Sequence, residues 1–407
     1  MSVDALIRPD LRGDFPGLSG GWHYLDSAAT AQKPQAVIDA ATRAMGADYA
    51  TVHRGVYARS AEMTLAFEAA RRKVAAFIGG AEDEVVFTRG ATEAINLVAQ
   101  TWGAANLKAG DRILLSLLEH HSNIVPWQLL AERTGVAIDV CPLTEDGRID
   151  LDAAEAMLTP AHKLVAFAHV SNVLGSVLDA PRAVALAHGV GALILLDGCQ
   201  AVPRLPVDVA ALGCDFYAFS AHKLYGPTGI GALWGRRELL AAMPPWQGGG
   251  AMIDRVSFER TTYAPAPQRF EAGTPAIVEA IALGAAVDYV SAIGLDAIHA
   301  HEAALVAQLR RELAEYIAAH LTAAWVWGPN IPSALPFRYP SFMSCCWSFS
   351  TSLPRLPYFS KEAPYAFIGN NTAIITKISR HAKARCLIPS PPLPVYSVVK
   401  LFRHHST

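Results

Sequence analysis

The stretch Phe216-Tyr-Ala-Phe-Ser220-Ala-His-Lys223-Leu-Tyr-Gly-Pro-Thr-Gly229 decides the reading of this chain. An apolar run ends at Phe219, and a serine, a histidine and a lysine follow at once. A Gly/Pro-rich turn then leads to a second apolar run, Gly231–Trp234. The first run reads as a buried strand. Its carboxyl end carries the polar residues.

Outward from this stretch the pattern repeats. Apolar runs at Glu84–Thr88, Arg112–Leu117, Leu164–Val170 and Ala192–Leu196 alternate with amphipathic stretches such as Thr92–Thr101 and Ala180–Gly189. Apolar strands alternating with helices predict an α/β fold, with a mainly parallel sheet covered by helices on both faces. Ligands of such sheets bind beyond the carboxyl ends of the strands, so the polar residues after each run are the candidates. Residues 275–320 are Ala-rich and helical by pattern. Glu279 and Asp288 make the first part a buried helix rather than a membrane span.

The 407 residues carry a net charge of -2 and are 52% apolar. Nothing in that balance draws the chain to nucleic acid or membrane. Six cysteines at irregular spacing, with no Cys-x-x-Cys pair, make neither a disulfide framework nor a metal site. They point to a reducing, cytoplasmic compartment. The first ten residues lack the order of a signal peptide. No Gly-x4-Gly-Lys-Ser/Thr segment supports a nucleotide phosphatase.

Four strand ends supply chemistry. Lys223 is an amine flanked by Ser220 and His222, both able to donate to a phosphate. Asp197 follows Ala192-Leu-Ile-Leu-Leu directly, with Gln200 three residues on. In Thr88-Arg-Gly-Ala-Thr-Glu-Ala-Ile-Asn96 a strand turns through Gly90 into a helix, where free N–H groups around Ala91 and the Thr92 hydroxyl suit an anion. His120, in Leu117-Leu-Glu-His-His-Ser-Asn, offers a flat ring, and Asn172 ends another apolar run. Taken singly, each has an ordinary alternative. Lys223 could be a solvated loop charge, Asp197 a helix cap, Thr92 a cap, His120 a surface histidine and Asn172 a turn residue. Jointly they meet the demands of pyridoxal 5′-phosphate (PLP): a Schiff-base lysine, an acid for the pyridine nitrogen, phosphate donors and a stacking group.

Residues 20–275 resemble the class V aminotransferase-fold enzymes, specifically the Suf-type cysteine desulfurases and the neighbouring selenocysteine lyases. The resemblance rests on Tyr24-Leu-Asp-Ser-Ala-Ala-Thr-Ala-Gln-Lys-Pro34, Val52-His-Arg-Gly-Val-Tyr57, Thr88–Asn96, Glu119-His-His-Ser-Asn-Ile-Val-Pro-Trp127, Asp197-Gly-Cys-Gln-Ala201, Ser220–Gly229 and Arg269-Phe-Glu-Ala-Gly-Thr-Pro275. It implies PLP-dependent transferase fold type I, with a smaller α+β domain beside the large one. It implies a Schiff base on Lys223, a pyridinium partner in Asp197, and a contact from Gln200 to the ring oxygen. His120 would stack, while Thr92, Ser220 and His222 would hold phosphate. Asn172 would contact cofactor or substrate. It implies a homodimer in which Thr274 reaches the partner's phosphate. The implied reaction takes L-cysteine (or selenocysteine) to L-alanine. Lys223 removes the α-proton, and a protein persulfide passes sulfur to an acceptor for iron–sulfur cluster assembly.

The expected domains are 1–20 as a segment of the small domain, 21–290 as the PLP domain, and 291–328 as a connecting helix. Residues 329–407 form an atypical tail in place of the small domain. That tail holds 11 of the 26 prolines, one of the 30 glycines and a single acidic residue, Glu362. Its net charge is +8 against -10 for residues 1–328. The family's nucleophilic segment, Arg-x-Gly-x-x-Cys-x-x-Pro, is not found. Cys386-Leu-Ile-Pro389 matches its second half only, with His381 and Lys383 where arginine and glycine belong; Cys345 and Cys346 lack the flanking residues. The tail reads as out-of-frame translation of the expected domain.

Overall fold

The computed structural model describes residues 11–21 and 23–320. A seven-stranded sheet organises them: β1 (Val85–Thr88), β2 (Arg112–Ser116), β3 (Ala137–Cys141), β4 (His162–Ala168), β5 (Leu193–Asp197), β6 (Phe216–Ser220) and β7 (Gly231–Gly235). The order is β1-β7-β6-β5-β4-β2-β3. Strands β2 to β6 pair in parallel, while β7 runs antiparallel to both β1 and β6. A hairpin of β8 (Ile253–Val256) and β9 (Thr261–Tyr263) stands apart from the sheet.

Side-chain alternation sends each central strand into two cores. Ile194, Leu196, Tyr217 and Phe219 join one apolar cluster, whereas Leu195, Phe216 and Ala218 join the other. A strand buried on both faces must be apolar throughout, and these runs are.

The helices are α1 (Gln35–Met45), α2 (Ala58–Phe77), α3 (Ala91–Val98), α4 (Ala104–Asn106), α5 (Val125–Thr134), α6 (Leu151–Met157), α7 (Ala180–Gly189), α8 (Val209–Leu212), α9 (Arg237–Ala242), α10 (Ile277–Ile293) and α11 (Leu295–His320). The helix expected over Thr92–Thr101 begins at Ala91 and widens into a π turn at Ala99–Gly103. Helix α10 packs on α1 and α2. A Cβ at Gly284 would meet the Cβ of Ala70 at 3.0 Å, so glycine permits that close approach. Among the described residues no single helix is long and apolar enough to cross a membrane.

Sequence reading missed β3 and the β8–β9 hairpin. Strand β3 is an edge strand with Asp139 in its middle and an exposed Val140, so its apolar signal is broken. The described part of the N-terminal segment packs through Phe15, whose ring meets those of Tyr225 and Tyr289 at 5.9 Å each. The tail and its cysteines, Cys345, Cys346 and Cys386, lie outside the described residues.

Candidate active site

Lys223 closes a short 3-10 turn, Ala221–Lys223, at the carboxyl end of β6. The turn is pinned from both sides. The Ala221 N–H donates to Ile230 at 3.1 Å, and the His222 carbonyl accepts from Ala31 N (2.9 Å), Thr30 Oγ1 (3.3 Å) and Lys33 Nζ (3.1 Å). The Lys223 side chain therefore starts from a fixed backbone. Burial pushes the Lys33 amine down to about 8.

One small cavity beyond the strand ends is lined by His120, Ala168, Val170, Asn172, Asp197, Cys199, Gln200 and Lys223. Asp197 is the last residue of β5 and is 6% exposed. Its Oδ1 accepts the Cys199 N–H at 3.0 Å, and no ion pair reaches the carboxylate among the described residues. A buried carboxylate without a cation is costly, and a protonated pyridine nitrogen would supply one. Gln200 is buried and oriented: its Nε2 donates to Ala28 O at 2.7 Å and its Oε1 accepts Arg204 Nη1 at 2.8 Å. The intervening Gly198 is required, because a Cβ there would meet the Tyr217 ring at 2.1 Å.

The candidate anion cradle lies at β1–α3. Gly90 has φ +153° and ψ 178°, a conformation open essentially to glycine alone. Its Cβ, if present, would meet Ser220 Oγ at 3.1 Å. The Ala91 N–H donates to Ser220 Oγ at 2.9 Å, which leaves the serine hydroxyl proton free to point elsewhere. Thr92 is exposed in the first turn of α3. The donors, the bare glycine and the open carboxylate of Asp197 fit PLP.

The class-V aminotransferase family model matches residues 23–324. The chain belongs to the class-V aminotransferase family. A cysteine desulfurase of Dickeya dadantii is 53% identical over 312 residues, covering 75% of this chain and 76% of that protein. The crystal structure of the cysteine desulfurase CsdA (S-sulfonic acid) from Escherichia coli is 43% identical, with a TM-score of 0.67 over 70% of this chain and 72% of that one. The apo cysteine desulfurase from Thermococcus onnurineus NA1 is 38% identical, with a TM-score of 0.73 over 76% and 77%. The fold is that of PLP-dependent fold type I enzymes, and PLP is the family's cofactor. The family match stops at residue 324, just before the composition break at Pro329.

Within this class-V site, His120 caps the short turn His121–Asn123. Its Nδ1 accepts the Ser122 N–H at 3.2 Å and pairs with Ser122 Oγ at 2.8 Å, which assigns the neutral ring's proton to Nε2. Burial first, then the Lys223 amine, lowers the pKa of His120. His222 stands between Lys223 and Lys33, and burial and both amines hold its pKa down. Ala91, Thr92, Ser220 and His222 do not line the cavity beside Lys223; they lie at the start of α3, at the end of β6 and in the turn that follows it. Thr274 is exposed after Gly273 and does not line that cavity either.

Three features were not read from the sequence. Glu119 lies fully buried behind His120, its carboxyl bonded to Ser116, Asn123 and Ala168. Lys33 braces the Lys223 turn through the His222 carbonyl, 189 positions away in the chain. Cys199 lines the cavity as a buried thiol whose pKa burial raises far above the ordinary value. A larger cleft at Arg112, Asp139 and His162 lies at the opposite end of the sheet, where these charges already pair with one another.

Proposed function

We propose that this chain is a PLP-dependent cysteine desulfurase that converts L-cysteine to L-alanine, works in the cytosol as a homodimer, and delivers sulfur to an acceptor protein for iron–sulfur cluster assembly. The observation that carries the reading is the convergence of Lys223, Asp197, Gln200 and His120 on one cavity, in a chain half identical to cysteine desulfurases. When bound, PLP supplies an electron sink that makes the Cα–H of an amino acid acidic. The Lys223 amine holds the cofactor and then takes the α-proton. Asp197 keeps a proton on the pyridine nitrogen. Ser220, Thr92 and the N–H groups of the first turn of α3 hold phosphate. His120, neutral with its proton on Nε2, is placed beside Lys223 to pass a proton to the substrate carbon from which the sulfur is taken.

The sulfur step balances as L-cysteine plus a thiol giving L-alanine plus a persulfide: the substrate C–S bond breaks and an S–S bond forms. Fully exposed Val56 and Phe258, and the exposed Thr274, support the homodimer. Buried free thiols at Cys141, Cys199 and Cys214 suit a reducing compartment.

A second reading is favoured by the absent Arg-x-Gly-x-x-Cys-x-x-Pro segment: a chain that binds PLP but has lost desulfuration, or a selenocysteine lyase, whose leaving group needs less help. The test is alanine release from L-cysteine by the PLP-loaded chain with a thiol reductant. Steady release supports desulfuration. Bound, coloured cofactor without release supports the second reading.

A further inference from the structure

Strand β1 is an edge strand. It pairs with β7 on one side, and its other edge leaves the Val85 carbonyl and the Phe87 N–H without a strand partner among the described residues. One charge pair takes both. Arg71 Nη1 donates to Val85 O at 2.9 Å, and Glu271 Oε1 accepts the Phe87 N–H at 2.7 Å. The two side chains are joined by a two-pronged bridge, Nη1 to Oε1 at 2.6 Å and Nη2 to Oε2 at 2.9 Å. Arg71 Nε donates to Glu68 at 2.9 Å, and its guanidinium lies 4.6 Å from the Phe87 ring centre. The side chains of Arg71 and Glu271 are 2% and 9% exposed. A planar guanidinium matched to a carboxylate in this way is the geometry that loses least when buried.

The pair has a position as well as a strength. Strand β1 runs straight into the Thr88–Thr92 cradle. Glu271 stands two residues before Gly273, whose N–H is fixed to Gly250 O at 2.8 Å, and Thr274 follows. We propose that Arg71 and Glu271 are positioning residues for the cofactor phosphate, setting at one point the strand that ends in the Thr88–Thr92 cradle and the loop that presents Thr274. The inference rests on the reading of those two loops as phosphate-binding.

A purely structural pair would affect binding of the whole cofactor. A phosphate-positioning pair affects only the phosphate share. Equilibrium dialysis of the full chain with PLP and with pyridoxal, which lacks the phosphate, separates the two. Glu271→Gln places an amide N–H against the Arg71 fork. Glu271→Asp keeps the buried charge paired but shortens the tether, so it serves where the first variant does not fold. Ser220→Ala, within the cradle itself, is the control. The expected result is PLP binding weakened about tenfold in the Glu271 variants with pyridoxal binding unchanged. Equal weakening of both ligands, or no change for PLP, overturns the inference. If Ser220→Ala lowers the PLP-to-pyridoxal preference while the Glu271 variants do not, only the role of the pair falls. If neither does, the phosphate reading falls with it.

Discussion

The carboxyl of Glu119 accepts the backbone N–H of Ala168 at 3.0 Å, joining the exit of β2 to the last residue of β4 directly behind the cavity. Its other oxygen accepts Asn123 Nδ2 at 2.6 Å, and the Trp127 indole fixes that amide by donating to Asn123 Oδ1 at 3.0 Å. Burial raises the carboxyl from 4.5 to about 8 against the pull of these donors. Between about 4.5 and 8 the folded state therefore holds a proton that the unfolded chain has released. Stability contributed by this group is complete below the lower value and is lost as pH rises through the upper one. Glu119→Gln has no proton to lose. It should destabilise by about 1–3 kcal/mol at acid pH, where its amide cannot satisfy every donor, and the deficit should shrink toward pH 8. Melting temperatures of the two proteins across that window decide it; parallel curves would refute the buried proton.

Lys223→Ala should remove the visible absorption that a lysine-bound pyridoxal gives, while leaving the fold intact, because the turn is held by backbone and by Lys33 rather than by the Lys223 side chain. Loss of the base should lower any α-proton exchange by about 10²–10⁴-fold. An unchanged spectrum after PLP addition would move the Schiff base to another amine.

Asp197→Ala should act on chemistry more than on retention of PLP. The carboxylate is buried and no cation among the described residues pairs with it, and in the proposed reading it keeps the pyridine nitrogen protonated. Removing such a fixed charge should slow Cα–H exchange with deuterated solvent by on the order of a hundredfold. Exchange at the wild-type rate would count against the assignment.

The parts legible in the sequence are those whose physics is local. Strands β4, β5 and β6 are apolar on both faces, so burial writes them into composition, and the residues next to their ends were found in the same pass. Lys223, Asp197, Gln200, Asn172 and His120 stand within a few residues of such an end. Glu119 escaped because its meaning lies in Ala168, 49 residues on. Arg71 and Glu271 escaped because 200 residues separate two charges that read singly as surface groups. Lys33 sat inside a quoted motif, yet nothing in its neighbours predicts a bond to His222.

The tail yields the sharpest contrast. Selenium leaves carbon more readily than sulfur, so selenocysteine turnover depends less on a protein thiol than cysteine turnover does. Among the described residues the cavity is lined by residues between His120 and Lys223. The chain should therefore release alanine from L-selenocysteine much faster than from L-cysteine, with the cysteine rate rising as free thiol is added and the selenocysteine rate not. Cys386→Ser should leave both rates unchanged if external thiol is the acceptor. A cysteine rate that is independent of added thiol and abolished by Cys386→Ser would instead make Cys386-Leu-Ile-Pro389 the working persulfide segment, and residues 329–407 a functional domain rather than an out-of-frame one.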